Sequence, residues 1–140
     1  MRLFLDANIL FSASHRDNGS VRVFFRLAEA GACELVSSAY AIDEARRNLA
    51  RKYPERVTDL EMLLSRLSVG AEATPENIAW AAAQQLPAKD APILAAAVQA
   101  GVALLVTGDQ ADFGHLYGKS LRGVRVLPPE VAIEQIIGGK

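Results

Sequence analysis

Two stretches of this chain consist only of apolar residues and then stop at an acidic group. Residues 3–5 run directly into Asp6, and residues 102–106 are followed by Thr107, Gly108 and Asp109. Short, wholly apolar runs are typical of strands buried on both faces, as in the middle of a parallel sheet. Ligands of such a sheet bind outside the carboxyl ends of its strands. If the two strands are neighbours, Asp6 and Asp109 are therefore predicted to face one crevice.

The rest of the sequence alternates between strand and helix patterns. Residues 33–36 and 124–127 are predicted as further strands, and residues 15–20 as a polar turn. Helices are predicted at 21–30, 41–52, 55–67, from Thr74 to about residue 86, at 92–100, and from Glu130 onward. This order favours an α/β protein, a three-layer α/β/α sandwich with a central, mainly parallel sheet. With no repeat and no linker, residues 1–140 are predicted to form a single domain.

The composition narrows the class of protein without naming a partner. The chain has 140 residues, of which 51% are hydrophobic, so it can bury a real core and general disorder is excluded. A net charge of −1 gives no hint of a nucleic-acid or membrane partner, and any polyanion binding needs a local patch. The apolar start is too short for a signal peptide, and no later apolar run reaches the length of a membrane span. Cys33 is the single cysteine and cannot form a disulfide within the chain. We expect a soluble, cytoplasmic protein.

Two further acids map to the same end of the predicted sheet. Asp90 stands at the start of the helix that leads into strand 102–106, and Glu44 is predicted in the first turn of the helix after strand 33–36. Four crowded carboxylates repel one another, and a hard divalent cation such as Mg²⁺ relieves the repulsion. Together with Asp6 and Asp109, these acids are predicted to bind metal and to act in catalysis.

Each of these residues also has a simpler interpretation. An aspartate after a strand or before a helix is often a cap or turn residue, and Asp90, directly before Ala91-Pro92, suits a cap especially well. Glu44 can be a surface residue. Asn8 and Thr107 are polar groups beside the strand-end acids and are suited to orienting them, or they form local side-chain turns.

Five segments together resemble a known family. They are Leu-Asp-Ala-Asn-Ile-Leu at 5–10, Ala-Ile-Asp-Glu at 41–44, Lys-Asp-Ala-Pro-Ile-Leu-Ala-Ala-Ala at 89–97, Leu-Val-Thr-Gly-Asp-Gln-Ala-Asp-Phe at 105–113 and Gly-Val-Arg-Val-Leu-Pro-Pro-Glu at 123–130. No single segment is specific, but the ordered set resembles the PIN-domain ribonucleases. Within them it is most similar to the VapC-like toxins of toxin–antitoxin pairs. The resemblance covers about residues 3–133. One departure is Ala7, where the family often has Thr or Ser.

The resemblance implies a function and a set of partners. It implies Mg²⁺ or Mn²⁺ held at Asp6, Glu44, Asp90 and Asp109, and cleavage of single-stranded or looped RNA by a metal-activated water. Asp112 is then a further acid at the rim, or a turn residue before Phe113. The family also implies an antitoxin protein whose extended segment covers the active site, and often a homodimer. Residues 21–30 and 55–67 are apolar helices that can serve as interfaces or as core.

A local group of basic residues is the candidate for RNA binding. Arg46, Arg47, Arg51 and Lys52 lie on or just beyond the helix that carries Glu44, with Arg56 following and only Glu55 opposing them. Such side chains contact phosphates and position a nucleic acid without reading its sequence. The alternative is an ordinary solvated helical face. Neither His15 nor His115 is assigned a catalytic role.

Other classes of protein fit less well. A phosphatase with an aspartate nucleophile needs a second acid two residues after the first, and Asn8 stands there. A phosphoryl-receiver domain needs an acidic pair near its first strand and a late lysine at a strand end, and neither is evident. No glycine-rich phosphate loop follows residues 3–5. The remaining alternative is a catalytically silent PIN-like module that binds RNA or a protein.

Overall fold

The computed structural model describes residues 1–16 and 19–138 and contains a six-stranded sheet. Its strands are β1 (Arg2–Leu5), β2 (Glu34–Ser37), β3 (Ser68–Val69), β4 (Leu104–Val106), β5 (Ser120–Leu121) and β6 (Val124–Leu127). The order across the sheet is β3-β2-β1-β4-β6-β5, and every pairing is parallel except that of β5 with β6. The predicted sheet, mainly parallel and central, is confirmed.

The two apolar strands of the sequence lie side by side in the middle of this sheet. Leu3, Phe4 and Leu5 of β1 pair in register with residues 104–106 of β4. All three β1 side chains are fully buried, as predicted for a strand covered on both faces. From β1 the chain first builds β2 and β3 on one side and then returns to β4 on the other. The reversal makes the edge above β1 and β4 the switch point where ligands of such sheets bind.

Helices connect the strands and cover the sheet in a three-layer α/β/α sandwich. Within the described residues they are α1 (Ala7–His15), α2 (Val23–Glu29), α3 (Ala39–Lys52), α4 (Val57–Leu64), α5 (Pro75–Ala82), α6 (Ala91–Ala100), α7 (Gln110–Phe113) and α8 (Pro129–Ile137). Helices α1, α3 and α4 pack on one another, and α5 packs on α6. Their buried side chains join those of the strands in one continuous hydrophobic core.

Several helix ends follow the local signals in the sequence. The Ser38 hydroxyl accepts a hydrogen bond from the backbone N–H of Ala41 and so caps α3. Thr74 caps α5 in the same way, and Pro75 occupies its first turn. Gly101 ends α6 with a φ of 67°, a left-handed conformation that costs glycine little. The predicted start at Thr74 and the predicted end at residue 100 agree with α5 and α6, whereas α3 begins at Ala39, two residues before the predicted start.

Helix α1 is the main element that the sequence did not predict. The prediction of a polar turn at 15–20 is wrong at both of its ends. His15 is the last residue of α1, and Ser20 begins a short 3-10 turn. Residues 17 and 18 lie outside the described residues. Helix α1 starts directly after β1 because Asp6 caps it with its own carboxylate. Helices α4 and α5 are also shorter than predicted, and the short elements β3, β5 and α7 were not predicted at all. In the part of the chain that is described, no helix is both long enough and apolar enough to span a bilayer.

Candidate active site

A cavity of about 450 Å³ opens at the carboxyl ends of β1 and β4. All four acids that the sequence selected line it: Asp6, Glu44, Asp90 and Asp109. They reach the cavity from four different elements. Asp6 and Asp109 follow the two central strands, Asp90 precedes α6, and Glu44 lies on α3. The topology therefore brings together side chains that are more than 100 residues apart in sequence.

Asp6 is buried and fully engaged by donors. One carboxylate oxygen accepts from the backbone N–H of Ala7 at 2.6 Å. The other accepts from the hydroxyl of Thr107 at 2.8 Å and from the side-chain amide of Asn8 at 3.1 Å. A carboxylate with three donors has a fixed orientation, so Asp6 is a rigid wall of the cavity.

Asn8 and Thr107, predicted as supporting residues, join the ends of β1 and β4. The Asn8 amide group donates to the Thr107 hydroxyl, and its carbonyl oxygen accepts from the backbone N–H of Gly108. The Thr107 hydroxyl accepts from the backbone N–H of Asp109 at 3.1 Å. The Tyr117 hydroxyl holds the carbonyl of Thr107 from the other side. Asp6 and Asp109 thus share one hydrogen-bonded frame.

Asp90, Asp109 and Asp112 form the tightest group of acids in the described part of the chain. Each offers one carboxylate oxygen, and these three oxygens lie within 4.8 Å of one another. The cap interpretation of Asp90 is wrong, because its side chain makes no capping hydrogen bond to α6. Instead its Oδ2 is buried and has no hydrogen-bond partner among the described residues. Asp112, predicted at the rim, belongs to this group.

Glu44 approaches the cavity from a different position than predicted. Helix α3 begins at Ala39, so Glu44 lies in its second turn, and the first turn contains no acid. Asp6 and Glu44 are outside the group of three oxygens within 4.8 Å. Glu44 is close enough for its charge to raise the pKa of Asp6. It therefore belongs to the same electrostatic site.

Burial and crowding disturb the titration of three of these acids. Burial raises the pKa of Asp6 to about 6, although the bonds from Thr107 and Ala7 oppose the change. Burial, followed by the hydrogen bond and charge of Asp112, raises the pKa of Asp90 to about 7. The same hydrogen bond from Asp90, together with the ammonium of Lys89, lowers the pKa of Asp112. A raised pKa means that Asp90 holds its proton more readily at neutral pH. This proton reduces the negative charge of the site, which is the task that a bound cation would otherwise perform.

The residues fit a hard divalent cation. Carboxylate oxygens are the ligands that Mg²⁺ and Mn²⁺ prefer, and three of them already lie within the span of one ion. The unpartnered Oδ2 of Asp90 is a buried acceptor that needs either a proton or a positive charge. Asp6 has no such need because three donors satisfy it. The cation would thus belong on the side of the cavity formed by Asp90, Asp109 and Asp112.

Three charged residues that line the cavity were not selected from the sequence. Glu130 lies in the first turn of α8, three residues after the end of β6, so the strand-end argument that found Asp6 also applies to it. Lys89 precedes Asp90, and its ammonium lies 3.4 Å from a carboxylate oxygen of Asp112. Arg16 follows α1 and also lines the cavity. Because α1 was not predicted, nothing in the sequence placed Arg16 near the acids.

The four basic residues predicted to bind RNA do not form one surface. Arg46 is paired with Glu61 and Asp43 at 2.9 and 3.1 Å, so Glu55 is not the only acid that opposes the group. Arg47 and Arg51 are exposed on α3, three and seven residues after Glu44, which places them along its face of the helix. The ammonium of Lys52 lies 5.6 Å from the centre of the Phe11 ring. The predicted cluster is therefore divided among three neighbourhoods.

The fold and the site together define an α/β protein with an acidic pocket at the switch point of its sheet. A PIN-domain family model matches residues 2–111, which include all four predicted acids. The match covers more than half of the chain, and the chain therefore belongs to the PIN-domain family. A comparison with curated proteins gives no match.

Solved structures share the fold at low sequence identity. VapBC2 from Rickettsia felis, bound to a DNA fragment from its promoter, is 18% identical with a TM-score of 0.69, over 91% of this chain and 98% of that one. PAE2754 from Pyrobaculum aerophilum is 16% identical with a TM-score of 0.70, over 99% and 96% of the two chains. VapC20 from Mycobacterium tuberculosis, a toxin that cleaves the sarcin–ricin loop, is 16% identical with a TM-score of 0.55, over 78% and 92%. These likenesses show the fold.

The raised pKa of Asp90 leads to a prediction for the stability of the metal-free protein. A carboxyl whose pKa rises from 3.8 to about 7 on folding stabilises the protein below pH 4 and loses that stabilisation as the pH rises through 7. The amide of Asp90→Asn imitates the protonated acid and can still donate to Asp112. In EDTA at pH 8 the free energy of unfolding of Asp90→Asn should exceed that of the wild type by on the order of 3 kcal/mol. This difference in stability should shrink toward pH 4.

Urea unfolding at both pH values measures this difference. Glu72→Gln, an exposed acid outside the cavity, is the matched control. Mg²⁺ or Mn²⁺ at pH 8 should raise the melting temperature of the wild type more than that of Asp90→Asn. An equal difference between variant and wild type at pH 4 and pH 8 would contradict the assignment of the proton to Asp90.

Proposed function

We propose that this protein is a metal-dependent endoribonuclease that hydrolyses RNA phosphodiester bonds. One observation carries the proposal: four acids from separate elements line one cavity, and a buried oxygen of Asp90 has no partner among the described residues. Membership of the PIN-domain family supports it. Asp6, Glu44, Asp90 and Asp109 are proposed as the catalytic and metal-binding residues, with Asp112 as a further candidate ligand and Mg²⁺ or Mn²⁺ as the cation.

The metal-binding residues have unequal roles in this proposal. Asp90, Asp109 and Asp112 would hold the cation, because their oxygens are close together and that of Asp90 is unpartnered within the described chain. When bound, such an ion polarises a phosphate group and lowers the pKa of a water molecule. Asp6 and Glu44 lie across the cavity as fixed negative groups that orient waters and accept protons. The Asn8 and Thr107 frame keeps Asp6 in place.

Cationic side chains at the two ends of the cavity suit an RNA strand. Lys89, next to Asp90, and Arg16, which follows α1, both line the cavity, and we propose that they mark its two ends. Lys89 is 66% exposed at its side chain and can leave Asp112 for a phosphate oxygen. Phosphates bound at both ends would hold the bond between them over the carboxylates. The alternative, a silent module, would bind RNA in this way without cutting it.

Removal of a single carboxylate should distinguish the nuclease from the silent module. Asp109→Asn keeps the oxygen that accepts from the backbone N–H of Asp112 but removes the negative charge. We expect cleavage of single-stranded RNA in Mn²⁺ or Mg²⁺ to fall on the order of 100-fold or more, because even outer residues of metal sites change activity by roughly 10–100-fold. Initial rates on a fluorescently labelled oligonucleotide measure the effect.

Three controls belong to the same experiment. EDTA should abolish cleavage by the wild type, Asp6→Asn should behave like Asp109→Asn, and Asp43→Asn should cleave at the wild-type rate. Asp43 is exposed and bound to Arg46, so its loss leaves the cavity unchanged. If the wild type and Asp109→Asn, purified in the same way, give identical rates, the activity comes from a contaminant and the nuclease proposal fails.

The exposed arginines on the Glu44 face of α3 are proposed to guide RNA toward the cavity. Arg47 is one turn from Glu44, and Arg51 is one turn further. Arg46 contributes less because its guanidinium is held by two carboxylates. Lys52 is considered separately below because it lies against an aromatic ring. Phosphate contacts of this kind raise affinity without adding sequence specificity.

Substitution of the exposed Arg47 and of the ion-paired Arg46 should have different effects on RNA binding. Arg47→Ala is expected to raise KM for RNA several-fold and leave kcat unchanged. It should also reduce the slope of log K against log salt by about 0.7, because one phosphate is no longer neutralised. Arg46→Ala should leave KM and the salt slope near wild type and lower the melting temperature, since its two ion pairs are removed. Cleavage rates at three salt concentrations provide both quantities. Equal effects of the two substitutions would argue against this surface.

We further propose that the chain is the toxin of a toxin–antitoxin pair in the cytoplasm and that it forms a homodimer. The support is the similarity to VapBC2 and VapC20, whose fold it shares. An antitoxin segment that covers the cavity needs a positive charge, because the four acids make the cavity strongly negative. A groove between α2 and α4, where Met62 is 67% exposed, is a second surface on which such a segment can pack.

Co-expression tests the partner and the oligomeric state together. We expect the protein encoded by an adjacent short reading frame to co-purify with the tagged chain and to suppress RNA cleavage. When the basic residues of this partner are exchanged for alanine one at a time, RNA cleavage should be restored only by the exchange of the residue that enters the cavity. Light scattering of the chain alone should give twice its 15.0 kDa mass. A monomer at micromolar concentration would remove the homodimer, and a product that neither binds nor inhibits would remove the antitoxin.

A further inference from the structure

Three aromatic rings form an exposed cluster outside the acidic cavity. Phe11 and His15 of α1 have ring centres 4.6 Å apart, and the His15 ring is stacked on Tyr53 at 4.6 Å with an angle of 7° between the planes. Tyr53 is 38% exposed, and Lys52 extends its ammonium over Phe11. We call these four residues the aromatic platform. Phe11 also packs against the hydrophobic core, and Tyr53 is the most exposed of the three rings.

The platform continues the wall of the cavity. Asn8 and Ser12 of α1 and Arg16, which follows α1, line the cavity, and Phe11 and His15 each precede one of these lining residues by one position. From Asn8 to His15 the helix rises roughly 10 Å, at about 1.5 Å per residue. The platform thus begins at the end of the cavity where Arg16 lies. An RNA strand that leaves the carboxylates on this side passes Arg16 and reaches the rings.

The charge around the rings is positive. Lys52 is part of the platform, and burial, followed by the charges of Arg16 and Arg56, lowers the pKa of His15. Arg56 is paired with Asp59 at 3.5 Å, so Lys52 and Arg16 are the cations on which the argument rests. The lowered pKa favours the neutral form of the His15 ring. Flat, neutral rings bordered by cations are the surface on which nucleobases of single strands stack while their phosphates contact the cations. A second protein chain would find this border of like charges less favourable than an RNA would.

We propose that the aromatic platform binds a nucleobase of the RNA on the Arg16 side of the cleaved bond. The base stacks on the exposed face of Tyr53, which His15 and Phe11 support from behind, and Lys52 contacts a flanking phosphate. The proposal rests on the proposed function and adds a base-binding subsite to it. Because every base has a π-face, the subsite favours unpaired nucleotides over double helix without selecting a sequence.

Substitution of Tyr53 tests the platform. Tyr53→Leu keeps an apolar side chain and removes the ring, whereas Tyr53→Phe keeps the ring and removes only the hydroxyl. We expect Tyr53→Leu to raise KM and the dissociation constant for single-stranded RNA about tenfold, with kcat within about twofold of wild type, as loss of one stacked base predicts. Tyr53→Phe should behave as wild type. Ile137→Ala, an exposed apolar residue at the end of α8, is the control for general loss of surface.

A fluorescent base gives a readout that a merely structural role of Tyr53 would not change. Oligonucleotides with 2-aminopurine at successive positions are mixed rapidly with the protein and Mg²⁺, and fluorescence is read before cleavage proceeds. Stacking should quench one position or two adjacent ones in the wild type and in Tyr53→Phe, and not in Tyr53→Leu. Far-ultraviolet circular dichroism verifies that all variants are folded.

The outcomes separate this proposal from the proposed function. Cleavage by the wild type with equal KM and equal quenching in Tyr53→Leu overturns the platform and leaves the nuclease intact. Quenching that depends on Tyr53 without cleavage in Mn²⁺ or Mg²⁺ overturns the nuclease and supports the platform as an RNA-binding surface. If Tyr53→Leu converts a dimer to a monomer in light scattering and RNA binding is unchanged, the rings form an interface between copies and the platform proposal is wrong.

Discussion

The parallel pairing of β1 with β4 is the interaction on which the site depends. It aligns Leu5 with Val106, so both strands end at the same height and the next residues of each chain segment meet above the sheet. The backbone N–H of Asp6 still bonds the carbonyl of Val106, which continues the ladder by one residue. Beyond that point the strands separate, and Asn8 joins them through Gly108. The carboxylates of Asp6 and Asp109 are thereby brought to one edge by backbone geometry.

The acids that meet there are not equivalent. Asp6 is surrounded by donors and needs no further partner, although burial still raises its pKa to about 6. Asp90 is buried with an oxygen that has no partner among the described residues, and burial together with Asp112 raises its pKa to about 7. In the absence of a cation the site therefore balances its charge by protonation. A metal ion competes with that proton, so its affinity should rise with pH through about 7.

The sequence was sufficient for the sheet centre and its acids because both depend on local patterns. Wholly apolar runs identified β1 and β4, and the rule for strand ends then selected Asp6 and Asp109 without knowledge of contacts. The same rule would have selected Glu130, which follows β6. It could not show that Arg46 is neutralised, because its partner Glu61 comes from α4, 15 residues later. Nor could it find β3 and β5, since two-residue strands have no periodicity and are formed by pairing with β2 and β6.

Helix α1 shows why the missed elements matter for function. The sequence of α1 lacks a clear amphipathic pattern, so the helix could not be predicted from it. The reason is that two faces of the helix are covered: Leu10, Ala13 and Ser14 are buried, and Asn8 and Ser12 line the cavity. Asp6 is at once the cap of this helix and a wall of the cavity. One rigid element therefore fixes the carboxylate of Asp6, the lining side chains and the Phe11 and His15 rings of the aromatic platform relative to one another. A substrate that contacts both ends of α1 is thus positioned by the same helix that begins at the acid.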